Sequence, residues 1–257
     1  EVSRVLTTDS GADLILPTSD DTGNVGRILS EGATVTNTDA AVGRRIYKAF
    51  MYSSDQIIVS LQFLQDAAVD ADSWIAGLLA ERIARITNTH FTTGNGPNLP
   101  SGVVNDAGAG QTGATGQTTS VTYDDLIILQ HAVNPAYRRN ARFMMEDTTI
   151  RFLRRIKDGE GRFVWQDSVQ AGVPGTLLGV PVTLNQDVAA MAASARSILY
   201  GNFQNYIIRD VRGFTLIRLD ERYADILQVG FIGFSRHDGG LLNAGTNPIQ
   251  AYVNSAS

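Results

Sequence analysis

The chain has 257 residues, of which 43% are hydrophobic and 18% charged, enough for one large or two modest domains with a sizeable core. This composition excludes wholesale disorder, and the net charge of −5 argues against a protein that wraps nucleic acid or reads a DNA sequence. The absence of Cys excludes disulfides, thiolate nucleophiles and thiolate zinc sites. Lysine occurs only at Lys48 and Lys157, so 19 of the 21 basic residues are Arg.

The N-terminal region gives no sign of membrane targeting. No run approaches the ~18 apolar residues of a membrane span, and the first residues lack a signal-peptide pattern, so we expect a soluble chain without a membrane partner. The sequence starts at Glu1 and not at Met. We therefore expect that an upstream segment was removed or is missing.

Residues 12–52 are predicted to form an extended two-stranded arm. The first 38 residues or so are polar and rich in turn residues, with only short apolar runs, and cannot make a core of their own. Two runs rich in β-branched and aromatic residues follow, at 46–52 and 57–59. We expect the first run to complete the arm and the second to enter the body.

The longest predicted helix covers residues 70–91. Apolar residues recur there at steps of three and four, which places them on one helix face, and the helix would be about 33 Å long. The Gly-rich residues 94–97 end it. Residues 105–120 have no apolar periodicity and are predicted to be a flexible surface loop at a subdomain boundary.

The rest of the chain alternates between helix and strand, which predicts a mixed α+β fold without internal repeats. Helices are predicted at 123–133 and 148–156, with a turn at 157–161. Strands are predicted at 141–145, 180–184, 197–200, 206–209, 214–219 and 226–234.

The sequence offers no convincing catalytic, cofactor or metal site. Residues 108–113 match G-x-G-x-x-G, but neither a preceding strand nor a following helix is evident, so a plain loop is favoured. His90, His131 and His237 are far apart in sequence and belong to no metal motif, which favours capping, surface or core roles. Adjacent acidic residues near predicted helix starts favour the helix dipole. We predict no catalytic residues, no metal and no cofactor.

Charge is distributed unevenly along the chain. Residues 134–163 carry eight positive and four negative side chains, whereas residues 1–37 carry six acids and two Arg. Opposite patches suit head-to-tail contacts between identical copies, with Arg holding carboxylates; the alternative is a solvated helix face plus an acidic arm. A nucleic-acid role is disfavoured because the Arg cluster lacks interleaved aromatic residues. The candidates for contacts between subunits are Arg27, Glu31, Arg44, Arg45, Arg138, Arg139, Arg154 and Arg155.

Several short motifs together resemble one family. Residues 156–165 read Ile-Lys-Asp-Gly-Glu-Gly-Arg-Phe-Val-Trp, and residues 177–182 read Leu-Leu-Gly-Val-Pro-Val. This order is similar to the K-D-x-x-G-R-aromatic turn and L-x-G-x-P-V strand of tailed-bacteriophage major capsid proteins, the Hong Kong 97 type. Residues 93–104 and 229–236 resemble that family's segment after the spine helix and its penultimate strand. The resemblance covers nearly the whole chain in collinear order.

The resemblance implies an α+β Hong Kong 97 type capsid fold with an extended β-hairpin arm, a peripheral domain and an axial domain. Residues 1–11 would be an N-terminal arm remnant and residues 12–52 the extended loop. The peripheral domain would comprise 53–122 and 221–257, with its spine helix at about 70–91. The axial domain would be 123–220.

The implied function is structural: copies assemble as pentamers and hexamers into the icosahedral head shell of a tailed phage or prophage. The shell would form in the bacterial host cytoplasm, belong to the virion and enclose DNA without sequence-specific binding. Scaffolding, portal or decoration proteins are implied as further partners. An encapsulin-like nanocompartment shell is the alternative, and an enzyme with an unrecognised site is a remote one.

Some members of the family join a loop Lys to an Asn of another subunit with help from a Glu. Here residues 27–32 contain no Lys, and residues 226–234 contain neither Glu nor Asn. We therefore expect a shell held by non-covalent contacts, with Lys48 as a poor alternative nucleophile near the base of the arm.

Overall fold

A computed structural model describes residues 2–257 except 22, 38, 67–69, 158–159, 164, 166–174 and 243–245. The strands are β1 (Arg4–Thr8), β2 (Leu14–Asp20), β3 (Ala41–Tyr47), β4 (Phe50–Ser60), β5 (Gly108–Thr112), β6 (Arg142–Met145), β7 (Thr176–Leu177), β8 (Val180–Leu184), β9 (Arg196–Gly201), β10 (Tyr206–Leu219), β11 (Gln228–Leu241) and β12 (Ile249–Val253). The helices are α1 (Leu61–Asp66), α2 (Ala71–Thr93), α3 (Val103–Asp106), α4 (Tyr123–Ala132) and α5 (Asp147–Leu153).

A four-stranded sheet has the order β1-β10-β11-β4, with β1 parallel to β10 and the other pairs antiparallel. Helix α2 packs on one face of this sheet. Its Ile75 and Leu79 are fully buried in a cluster with Val229 and Phe231 of β11. The step of three and four that predicted the helix thus corresponds to its sheet-facing side.

The predicted long helix is confirmed, with α2 running two residues further than expected. Asp70 caps its N-terminus by accepting a hydrogen bond from the Ser73 backbone N–H. The Gly94 N–H donates to the His90 carbonyl at the other end, at 2.9 Å. A Cβ at Gly94 would collide with the carbonyl oxygens of His90 and Pro100, so only glycine permits this close turn.

A six-stranded sheet has the order β5-β12-β9-β6-β8-β7. Phe143 of β6 and Tyr200 of β9 pack with ring centroids 4.7 Å apart. They share a buried cluster with Leu129 of α4 and Tyr252 of β12. The predictions of helix near 123–133 and 148–156 and of strand near 141–145, 180–184 and 197–200 are confirmed to within a few residues.

The prediction of a loop over residues 105–120 is wrong in its first half. Residues 103–106 form α3, and β5 pairs in parallel with β12 at the edge of the six-stranded sheet. A Cβ on Gly110 would lie 2.8 Å from Gln250 Cβ and 3.0 Å from Leu129 Cδ1. Glycine is needed at this position because neighbouring residues approach the backbone of β5 closely. A strand with so few apolar side chains shows no apolar periodicity and cannot be detected by it.

Two other predictions change at the C-terminal side. The expected strands 206–209 and 214–219 are one strand, β10, whose pairing with β11 shifts between Val211 and Thr215. Arg212 and Gly213 have positive φ angles of 59° and 68° there, which makes the bulge. Strands β1 and β12 were not predicted, and β11 runs seven residues past the predicted end at 234, to Leu241.

The sheets divide the chain differently from the predicted domains. Strand β10 lies within the predicted axial segment 123–220 but pairs with β11 and β1 in the four-stranded sheet. Strand β12 lies within the predicted peripheral segment 221–257 but joins the six-stranded sheet. Strand β1, in the segment predicted as an arm remnant, is an edge strand of the four-stranded sheet.

The arm is a two-stranded antiparallel ribbon in which β2 pairs with β3, from Leu14 opposite Tyr47 to Asp20 opposite Ala41. The described residues of 21–40 form neither helix nor strand. The predicted strand 46–52 is instead split between β3 and β4, so the arm ends at Tyr47. The predicted turn 157–161 includes residues 158 and 159, which lie outside the described part.

Candidate subunit-contact surfaces and the root of the arm

The arm exposes an unusual amount of apolar side chain. Val25 is 90% exposed and Ile28 101% exposed, as in an extended chain. The other exposed large apolar residues of the arm are Ile15, Leu29, Val35, Val42 and Ile46. A two-stranded ribbon is marginal in water, and clustered exposed apolar side chains are typical of contact surfaces.

The root of the arm is built around Arg209 of β10, which is only 2% exposed. Its guanidinium makes five hydrogen bonds, matching the five N–H donors of an arginine. The acceptors lie before β2 and at the end of β3. They are Thr8 Oγ1 at 3.1 Å, Ser10 O and Ala12 O at 2.7 Å, Tyr47 O at 2.8 Å and Lys48 O at 3.1 Å. One side chain therefore contacts both ends of the arm.

Asp238 of β11 is the cross-strand partner of Arg209 and is also buried. Its carboxylate accepts hydrogen bonds from the backbone N–H groups of Lys48 and Gly239. Burial raises the pKa of Asp238, while those two N–H groups and the charges of Arg45 and Arg209 counteract the rise. The arm root thus holds a buried carboxylate beside a buried guanidinium.

The third part of the root joins β3 to α3 and β11. Arg45 forms an ion pair with Asp106 at 3.2 Å, and Asp106 accepts a hydrogen bond from the Leu241 N–H at 3.0 Å. The Tyr47 hydroxyl donates to the Gly240 carbonyl at 3.0 Å, and burial raises the pKa of Tyr47 to about 12. Arg45, a candidate for contacts between subunits, is therefore engaged within its own chain.

The remaining candidates on the arm are accessible. Arg27 donates to the Thr34 carbonyl at 2.7 Å across the outer part of the arm. Glu31 lies in the turn between them, and Arg44 is exposed on β3. The structure thus brings Arg27, Glu31 and Arg44 onto one projecting element.

The four candidates near the six-stranded sheet differ from one another. Arg138 donates to the carbonyls of Val133 at 2.7 Å and His131 at 2.9 Å, at the C-terminal end of α4. The Arg154 guanidinium lies 5.6 Å from the centroid of the Trp165 ring. Arg139 and Arg155 are exposed, and Arg139 lines a cavity of about 510 Å³.

Two of the three histidines meet in the fold. His90 Nδ1 is 2.9 Å from the Tyr52 hydroxyl, and the His237 ring centroid is 5.9 Å from that of Tyr52. His237 Nδ1 lies 3.4 Å from Asp210 Oδ1. Burial lowers the pKa of His237, and the charge of Asp210 opposes this effect. Spacing along the chain gave no hint of this cluster.

The described residues offer little for bond-making chemistry. Across this part of the chain, no three His, Asp or Glu side chains are placed to hold a metal ion. The G-x-G-x-x-G match follows α3 and falls on β5, so it does not open a helix. No helix in the described ranges is long and apolar enough to cross a membrane. Lys48 is exposed at the arm root, with Nζ 6.0 Å from the Phe50 ring centroid.

Comparison with known proteins gives matches over the whole fold. The model of the phage capsid family matches residues 1–253. The capsid of the native GTA particle superposes with a TM-score of 0.81 at 25% identity, covering 99% of this chain and 89% of that one. A chain of Mycobacterium phage Adephagia gives a TM-score of 0.72 at 14% identity, covering 100% of this chain and 89% of that one. No curated protein sequence matches.

A more distant neighbour extends the same result. The mature capsid of bacteriophage PhiM1 gives a TM-score of 0.64 at 7% identity, covering 100% of this chain and 86% of that one. The mixed α/β architecture expected from the motif resemblance, the Hong Kong 97 type capsid fold, is confirmed. Because the family model spans nearly every residue, this chain belongs to the phage capsid family.

Proposed function

We propose that this chain is the major capsid protein of a tailed phage or prophage head, of which many copies assemble into an icosahedral shell around the DNA genome. The observation that carries this proposal is the family match over residues 1–253 together with the capsid fold. It is a structural role. An encapsulin-like shell is not favoured, because the matched structures described above are phage and GTA particle capsids.

The arm supplies the principal contact in this proposal. Its apolar side chains, including those of Val25 and Ile28, are exposed in the single chain and would be buried against a neighbouring subunit. An obligate interface of this kind buries roughly 2,000 Å² or more in total. Arg27, Glu31 and Arg44 on the arm, with Arg139 and Arg155 on the body, would add charge pairs that select the register of the contact.

The sheets suggest how the chain is divided in the shell. We assign the peripheral domain to the four-stranded sheet with α2, and the axial domain to the six-stranded sheet with α4 and α5. The axial domains would then gather into pentamers and hexamers. The arm, β2 and β3, leaves the peripheral domain at its root.

The shell is proposed to be held without covalent links. Residues 27–32 contain no Lys and residues 226–234 contain neither Glu nor Asn. DNA would be enclosed without sequence-specific binding, consistent with the net charge of −5. Assembly in the host cytoplasm, with scaffolding, portal or decoration proteins as partners, completes the proposal.

Electron microscopy and size-exclusion chromatography of the purified chain test the proposal. We expect capsomer rings or closed shells, and a denaturing gel of the assembled material should show a single monomer band. A chain that remains monomeric across salt, pH and crowding conditions would contradict the shell function. Ladders of oligomers that survive heat and detergent would contradict the non-covalent part alone.

A further inference from the structure

We propose that Arg209 is a positioning residue for assembly: its single buried guanidinium fixes the direction in which the arm leaves the body. The inference rests on the proposed function, since it concerns how the arm is presented to a neighbouring subunit. It adds to that function a named residue and the way in which it acts. The order of the arm root in the unassembled chain can be measured separately from assembly.

The burial of Arg209 needs a reason beyond packing. A cation that is 2% exposed loses its water, and this loss is offset only when every donor finds a partner. An apolar side chain would fill the same space without that cost. Arg209 instead makes five hydrogen bonds and lies beside Asp238, its cross-strand partner. The position is therefore built for the guanidinium and not for generic core filling.

The acceptors explain what the guanidinium does. Ser10 and Ala12 lie just before β2, whereas Tyr47 is the last residue of β3 and Lys48 follows it. The guanidinium is a rigid planar fork, so it fixes both segments relative to β10 and to each other. Two attachment points separated across the ribbon define its direction, whereas one would leave it free to swing.

The outer part of the arm cannot supply this orientation, and the contacts of Arg45 with Asp106 and of Tyr47 with Gly240 hold β3 alone. Its outer residues are exposed, and Tyr47 at its base is its only buried large apolar residue among those described. A subunit whose arm already points in the bound direction loses less conformational freedom on assembly than one whose arm must be ordered. Arg209 therefore lowers the cost of each contact that the arm makes.

The test compares Arg209→Ala with a matched control, Arg212→Ala. Arg212 lies three residues away on β10, is exposed, and donates to the Asp9 carbonyl at 2.7 Å. Hydrogen exchange on unassembled Arg209→Ala should speed up about tenfold or more in peptides 8–14 and 46–50, with α2 and the six-stranded sheet unchanged. Assembly should slow by at least a similar factor, whereas the control should behave as the parent chain.

Chemical rescue separates positioning from general stability. Guanidinium ion at roughly 20 mM, far below the molar concentrations that unfold proteins, should enter the vacated space and restore slow exchange and assembly. Sodium chloride at the same concentration should not. Arg209→Lys keeps the charge but offers fewer donors, so its exchange and assembly rates should lie between those of the parent chain and Arg209→Ala. It also provides a test if Arg209→Ala does not fold.

Some outcomes would overturn the inference. Normal exchange at the arm root in both variants would do so, as would acceleration spread evenly over the chain without rescue by guanidinium. If the parent chain forms no rings or shells, the proposed function fails, while the exchange result still decides whether Arg209 orients the arm.

Discussion

The arm and the six-stranded sheet place the same kinds of side chain in opposite environments. Phe143 and Tyr200 lie in a core that the chain completes by itself. Val25 and Ile28 lie in the part of the arm between β2 and β3, where no other part of the described chain covers them. Because the stabilisation from apolar burial grows with the area removed from water, the body is stabilised within one chain and the arm is not. The arm is therefore the part of the described chain whose apolar side chains are left without a core.

Three changes test this difference, taken in order of their expected effect on the free energy of unfolding of the unassembled chain. Phe143→Ala should lower that free energy by about 3–5 kcal/mol, because it empties a fully buried site against Tyr200. Urea unfolding followed by circular dichroism measures the loss. Ile28→Ala is the matched control and should change it by less than about 0.5 kcal/mol. Equal losses would show that the arm has a core of its own.

The second change is acidification, which acts on the body through His237. Burial lowers the pKa of His237, so below its ordinary value of 6.5 the unfolded chain takes up the proton before the folded chain does. Stability should therefore fall as pH falls through 6.5 towards the lowered pKa, by at most about 1.4 kcal/mol per pH unit.

This effect is isolated by measuring the free energy of unfolding against pH for the parent chain and for His237→Gln, and subtracting one from the other. The subtraction is needed because burial raises the pKa of Asp238, which works in the opposite sense at lower pH. His131→Gln, at an exposed position at the end of α4, is the control and should leave the slope in place. If the free energy of unfolding of His237→Gln still falls with pH as it does in the parent chain, His237 is not the cause.

The third change shortens the arm. Deletion of residues 21–37 keeps β2 and β3 in register, Asp20 opposite Ala41, and joins them through residues 38–40. The free energy of unfolding of the unassembled chain should change by less than about 0.5 kcal/mol, while the yield of shells should fall sharply. Shells formed at the parental yield would show that the outer arm makes no essential contact.

The sequence was sufficient where local pattern decides structure. The apolar spacing predicts helix α2. The polar, turn-rich sequence beside short β-branched runs predicts the paired strands of the arm. Strand β5 could not be predicted because Gly108 and Gly110 carry no side chain to form a pattern. Strand β12 was missed because its burial depends on β9, about fifty residues earlier.

The root of the arm lay beyond sequence reasoning for a different reason. Nothing local distinguishes Arg209 from the other 18 arginines. Its partners, such as Thr8 and Tyr47, are more than 160 residues away along the chain. The candidate set included Arg45, whose ion pair with Asp106 also lies at the root. Long-range hydrogen bonds become visible only when the strands are paired.

The parallel pairing of β1 with β10 also determines when β1 can pair during synthesis. Arg4 lies opposite Ile207, so the first strand cannot take its place until more than 200 further residues have been made. At about 5–20 residues per second, roughly 10–40 s separate the two segments on the ribosome. During that interval β1 and the arm have no docking strand. Strand β1 and the arm are therefore synthesised well before β10, the strand that carries Arg209.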